Sequence, residues 1–124
     1  MIVKSVYHVG IPVDDVDRAQ SFYTQVLGME LIDQVGQEGA RQSRLKCGPN
    51  TVVLFQRPKA LNRNSFEEDG VFHQAFEIDI SEFDDAVEKL KEIGAFHRII
   101  ERESGLTGYF FDTEGNYEEL HASR

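Results

Sequence analysis

Apolar and polar positions along this chain follow two alternating rhythms, one of period two and one near 3.6. Val3 to Val13 is dense in β-branched residues and predicts a strand. Asp14-Asp15 then offers a helix start, and Val16, Ala19, Phe22, Tyr23 and Val26-Leu27 recur at helical spacing on one face. Gly28 follows, where a left-handed stop is wanted. Strands are predicted over Met29–Val35, Ala40–Cys47 and Thr51–Gln56, parted by turns at Gly36-Gln37-Glu38-Gly39 and Gly48-Pro49-Asn50. Residues 57–71 have mixed charge and no period, and read as a connector. The order then returns. A strand over Val71–Ile80 leads to a helix opened by Ser81-Glu82, with Phe83, Ala86-Val87, Leu90 and Ile93 on its face. Gly94 ends that helix, and strands follow at Ala95–Glu101, Thr107–Asp112 and Asn116–Ala122.

The chain therefore reads as βαβββ twice: an α+β fold in a single domain over 1–124, with module one about 1–56 and module two 72–124. Individual residues repeat as well. HVGIPVDD from His8 resembles HQAFEIDI from His73 at an offset of 65, and Gly28/Gly94 and Asn50/Asn116 recur at 66. A duplication of this kind sets two copies of each position against one another.

Both modules carry a histidine at the same point of the first strand, His8 and His73. Strand alternation parts each from the apolar residues that pack on the helices. In the last strand Leu120 and Ala122 suit the helix side. Glu119, with Tyr117 and His121, then shares the face of the histidines, and Glu118 points the other way. Two imidazoles and a carboxylate form a three-ligand set for a divalent metal, with positions left open for substrate or water. His97 and His121 read as ordinary hydrogen-bonded polar residues. The duplicate of Glu119 falls on Val53, which cannot ligate; a shifted register would bring Gln56 near as a weak amide ligand or substrate contact. Tyr109, on the strand beside that of Glu119, is a candidate hydrogen-bond donor or acid. Arg44, alternating with Gln42 and Lys46, is a candidate contact for an anionic substrate.

Composition narrows the partners. A length of 124 residues is enough to bury a core, and a net charge of −9 argues against general nucleic-acid binding, which needs a basic face. The single cysteine, Cys47, excludes an intrachain disulfide and suits a reducing cytoplasm; in its alternating run it reads as a structural thiol. No apolar run approaches the roughly 20 residues of a membrane span, and no leader pattern opens the chain. These features lead us to expect a soluble, cytoplasmic protein acting on a small molecule.

HVGIPVDDVDRAQSFYTQVLGMEL, FHQAFEIDISEFDDAVEKLKEIGA and TGYFFDTEGNYEEL together resemble the vicinal oxygen chelate superfamily of glyoxalases, extradiol dioxygenases, fosfomycin-resistance transferases, epimerases and bleomycin-resistance proteins. The resemblance implies an open, barrel-like mixed sheet with helices outside, a homodimer, and His8, His73 and Glu119 as ligands of Fe, Mn, Ni or Zn. Glu119 would double as a catalytic group, and the reaction would be that of a lyase, isomerase or extradiol-type dioxygenase. It equally implies an alternative, a non-catalytic drug- or metabolite-binding dimer of bleomycin-resistance type. Val53 departs from the four-ligand members, in which the first module also supplies a ligand.

Overall fold

The computed structural model describes residues 1–57 and 73–124. The chain divides into two compact units, Met1–Asn62 and Arg63–Arg124. In the first, β1 (Val9–Val13) leads into α1 (Val16–Ser21), which continues as a π-helical turn over Phe22–Val26. β2 (Glu30–Val35), β3 (Gln42–Cys47) and β4 (Asn50–Gln56) complete it. The second has β5 (Gln74–Glu77), a 3-10 turn (Ile80–Glu82) running into α2 (Phe83–Glu92), then β6 (Phe96–Arg102), β7 (Gly105–Phe111) and β8 (Tyr117–Ser123). Each unit is a mixed four-stranded sheet, ordered β1-β4-β3-β2 and β5-β8-β7-β6. In each the first strand is parallel to the last, and the other pairs are antiparallel.

The expected α+β fold of two βαβββ modules is therefore what forms, and the duplication reaches into the hydrogen-bond ladders. Gly10 pairs with Val53 as Ala75 pairs with Glu119. Arg44 opposes Val53 as Tyr109 opposes Glu119. Asp33 opposes Arg44 as Arg98 opposes Tyr109, and the register irregularity between Leu31 and Asp33 recurs between Phe96 and Arg98.

Helix boundaries follow local chemistry. The Asp15 carboxylate accepts from the Arg18 backbone N–H at 3.0 Å and caps α1. In the second unit α2 starts directly after Glu82, as expected of Ser81-Glu82 but with no side-chain cap, and the 3-10 turn before it is capped by Asp79. Its carboxylate accepts from the Ser81 N–H at 2.9 Å and the Ser81 hydroxyl at 2.8 Å, and these bonds hold its pKa below the usual aspartate value. Gly28 and Gly94 end the helices at φ of +72° and +73°, a conformation costly for any residue with a Cβ. Val16, Ala19, Phe22 and Tyr23 are buried on the first helical face, and Phe83, Val87 and Leu90 on the second. Ile93, expected on that second face, lies just past the end of α2 and is 51% exposed.

The first strand is shorter than its β-branched composition suggests. It begins at Val9, not Val3, and Met1–His8 are exposed. Val9 pairs with Val52, and β4 itself starts only two residues earlier at Asn50. The residues upstream of Tyr7 have therefore run past the start of the strand they would pair with. Of the expected strand over 71–80, residues 73–80 are described and form a strand only over Gln74–Glu77, Ile80 already belonging to the 3-10 turn; the connector, apart from Arg57, lies outside the described residues. Among the described residues no helix is long and apolar enough to cross a membrane.

In the second unit Phe83, Val87 and Ala122 form a core with Ile78, Phe96 and Leu106 packed against it. At the start of β7 a Cβ added to Gly105 would sit 2.4 Å from the Ala122 carbonyl oxygen, a backbone atom that cannot rotate away. Gly105→Ala is expected to cost about 1–3 kcal/mol through this overpacking, read as a lowered urea midpoint with an unchanged slope.

Candidate functional site

Leu120 and Ala122 on β8 are buried toward α2, and alternation sends Glu118 with them; it is fully buried. Glu119 points to the other face. There its Oε2 lies 2.9 Å from His73 Nε2, the two side chains being 13% and 23% exposed. Ala75 is the residue that pairs with Glu119, and its methyl leaves the space beside the carboxylate to His73, two residues earlier on the same face. One nitrogen and one carboxylate oxygen thus converge at hydrogen-bond distance. Both are divalent-metal donors, so the donor chemistry of this pair suits a divalent cation.

The same face carries a polar and aromatic surround. The Thr107 hydroxyl donates to Glu119 Oε1 at 3.1 Å and stands 3.4 Å from His121 Nδ1, while Ser123 Oγ reaches His121 Nε2 at 3.2 Å. Tyr109, directly opposite Glu119 across the ladder, stacks on Tyr117 with ring centroids 5.3 Å apart and planes inclined by 5°. The His73 ring meets both tyrosines edge-on, at 5.8 and 6.2 Å. The Arg98 guanidinium lies 5.4 Å from the Tyr109 centroid. Burial pushes the Tyr117 phenol above its usual pKa, and a hydrogen bond from Arg98 partly offsets that. Arg98 can only donate, so it takes a lone pair on the Tyr117 oxygen. His97 Nδ1 lies 3.0 Å from the same phenol oxygen.

Unit one fills the equivalent row differently. Val53 stands where Glu119 does, and Gly10 where Ala75 does. Arg44 stands where Tyr109 does and is engaged by Asp33, Nε to Oδ1 at 2.6 Å; this pairing lowers the pKa of Asp33 and raises that of Arg44. Gln56 pairs with Val13 three residues beyond Val53, so alternation puts it on the opposite face from Val53. His8 immediately precedes β1, exposed, its ring 5.6 Å from that of Tyr7. Among the described residues no group of three His, Cys, Asp or Glu side chains forms a metal-binding cluster; His73 meets Glu119 at 2.9 Å, and His121 Nδ1 stands 3.8 Å from Glu119 Oε1. Of the candidate residues, then, the structure brings together His73, Glu119 and Tyr109 in unit two; within unit one Arg44 is engaged by Asp33, and Gln56 lies on the opposite face of its strand from Val53. Thr107 and Arg98 had no motif to announce them. Only counting by twos from Tyr109 on β7, and crossing the ladder to β6, finds them. Cys47 is half-buried, and desolvation raises its pKa, which does not favour a nucleophilic thiolate.

Three comparisons bear on this geometry. The family model for the Glyoxalase/Bleomycin resistance protein/Dioxygenase superfamily matches residues 5–120. The uncharacterized protein YwkD of Bacillus subtilis (strain 168) is 30% identical over 122 residues, spanning 92% of this chain and 93% of its own. Among solved structures, a glyoxylase/bleomycin resistance protein/dioxygenase domain from Frankia sp. EAN1pec superposes with a TM-score of 0.83 at 20% identity, covering 99% of this chain and 94% of that one. The E126Q mutant of the fosfomycin resistance protein FosX of Listeria monocytogenes, complexed with Mn(II) and 1S,2S-dihydroxypropylphosphonic acid, has a TM-score of 0.81 at 20% identity, covering 99% and 95%.

Proposed function

This chain belongs to the glyoxalase/bleomycin resistance protein/dioxygenase superfamily, and on that premise we propose that it is an enzyme, a single functional domain that holds one divalent metal through His73 and Glu119 and binds a small oxygen-rich substrate there. The observation that carries the reading is the 2.9 Å approach of His73 Nε2 to Glu119 Oε2 on the face turned away from α2. His8 is the third ligand in this reading, because it holds in its module the place that His73 holds in the other. A divalent cation held there would supply Lewis-acid stabilisation of a substrate oxyanion.

The chain's own groups set the rest. Tyr109, beside Glu119 and not buried, is placed to give a hydrogen bond or a proton to a substrate oxygen. Val53, and not a carboxylate, holds in unit one the position that Glu119 holds in unit two, so the chemistry falls to Glu119 and Tyr109 and not to a pair of glutamates. Arg98 takes over the anion-contact role first given to Arg44: it makes no ion pair among the described residues, whereas Arg44 is held by Asp33. A negatively charged substrate group therefore meets Arg98. A FosX structure holds Mn(II) together with a dihydroxy phosphonic acid, which supports manganese as the probe and an oxygen-rich anion as the substrate class. We carry the homodimer and the reducing cytoplasm as parts of the same proposal.

Titration of metal-stripped protein with MnCl2 in a calorimeter tests it. One Mn(II) per chain is the expected result. Failure of Mn(II), Zn(II), Ni(II) and Fe(II) alike to bind would overturn the enzyme reading and leave the non-catalytic ligand-binding dimer in its place.

A further inference from the structure

We propose that Thr107 is a positioning residue for the metal-ligating carboxylate: its hydroxyl fixes Oε1 of Glu119, so that Oε2 is the oxygen presented beside His73. The inference rests on the reading of His73 and Glu119 as ligands.

Thr107 is 1% exposed, so its hydroxyl must find partners within the protein. Its single proton has two neighbours, Glu119 Oε1 at 3.1 Å and His121 Nδ1 at 3.4 Å. A carboxylate can only accept, so the proton goes to Glu119, and the Thr107 oxygen is left to accept from His121 Nδ1–H. Ser123 Oγ, 3.2 Å from His121 Nε2, steadies the other end of that imidazole. The resulting chain of contacts runs Ser123, His121, Thr107, Glu119, His73. All of it except His73 stands on the paired strands β7 and β8, where Thr107 and His121 are direct ladder partners. The hydroxyl is thus held by a sheet and not by a loop, which is what fixing one of two carboxylate oxygens requires. Ligating carboxylates are commonly held by such hydrogen bonds.

The duplication supplies an internal control. The position equivalent to Thr107 in unit one is Gln42, and its ladder partner, equivalent to His121, is Phe55. Gln42 is exposed, and Phe55 has no polar atom on its side chain. Where the ligand position is Val53, the hydroxyl and imidazole behind it are missing too. A threonine kept only for strand propensity would have no reason to follow the carboxylate in this way.

The test compares Mn(II) affinity by calorimetry in wild type, Thr107→Val and Thr107→Ser, with a thermal melt of each. Valine keeps the volume and the strand preference but removes the hydroxyl; serine keeps the hydroxyl. Thr107→Val is expected to weaken Mn(II) binding about tenfold or more, with its melting temperature close to wild type, and Thr107→Ser is expected to restore most of the affinity. Wild-type affinity in Thr107→Val, or equal losses in both variants, would overturn the inference while leaving the ligand reading intact. Absence of Mn(II) binding in wild type would instead remove the ligand reading, and this inference with it.

Discussion

Glu119→Gln is expected to lower Mn(II) affinity by more than about a hundredfold, beyond the ten- to hundredfold cost of losing a supporting partner, while Glu118→Gln leaves it near wild type. The two residues are adjacent and chemically identical, so only the parity of β8 separates them. Glu119 Oε2 lies 2.9 Å from His73 Nε2 on one face. Glu118 pairs across the ladder with Gln74 and Phe110 and is fully buried on the side of α2. The neutral amide at position 119 gives up the negative charge and offers one weak donor oxygen where two stood. At position 118 the same change disturbs a buried carboxylate's environment, so its expected signature is a lower unfolding midpoint and not a lost metal. Calorimetry and a thermal melt on both variants check this together. The reverse pattern, with metal lost in Glu118→Gln and retained in Glu119→Gln, would show that β8 faces the other way and would withdraw the site.

That parity could be read from the chain because Leu120 and Ala122 leave little doubt about which side of β8 meets the helix. The duplication was equally legible: histidine, helix-ending glycine and turn asparagine recur at nearly constant offsets, and the ladders repeat pair for pair. Properties that depend on a partner distant in sequence were not legible. Val3–Val6 has the composition of a strand, but β1 runs parallel to β4 and can start no earlier than β4 gives it a partner, and nothing local to those residues says so. The fate of Arg44 was decided by Asp33 across a register irregularity, and Arg98 acquired its place beside Tyr109 through the matching irregularity in the other sheet. Thr107 looked like any strand threonine, and only its ladder neighbours single it out. Ser81-Glu82 does lead into α2, but the 3-10 turn capped by Asp79 was not legible, because hydrophobic spacing carries no signal for such a turn.

The largest stability effect is expected from Phe83→Ala, at about 3–5 kcal/mol. Phe83 opens α2 and is 2% exposed. Its ring packs over Gly108: a Cβ built on that glycine would lie 3.4 Å from Phe83 Cζ and 3.6 Å from Val87 Cγ2. Truncation therefore opens a void over a glycine of β7, which has no side chain to fill it, and the cavity cost adds to the lost transfer energy. Ile93→Ala makes the contrast, since Ile93 is 51% exposed beyond the helix end and should change stability by no more than about 0.5 kcal/mol. Gly108 lies between Thr107 and Tyr109, so the cavity also sits directly beneath the strand that supports Glu119. Adding Gly108→Ala to Phe83→Ala should return part of the lost stability, because a methyl that crowds the intact ring has room once the ring is gone. Urea unfolding of both single variants and the double variant gives the coupling energy. Strictly additive losses would mean that the ring and the glycine do not pack on one another, and that Phe83 stabilises the unit through other contacts.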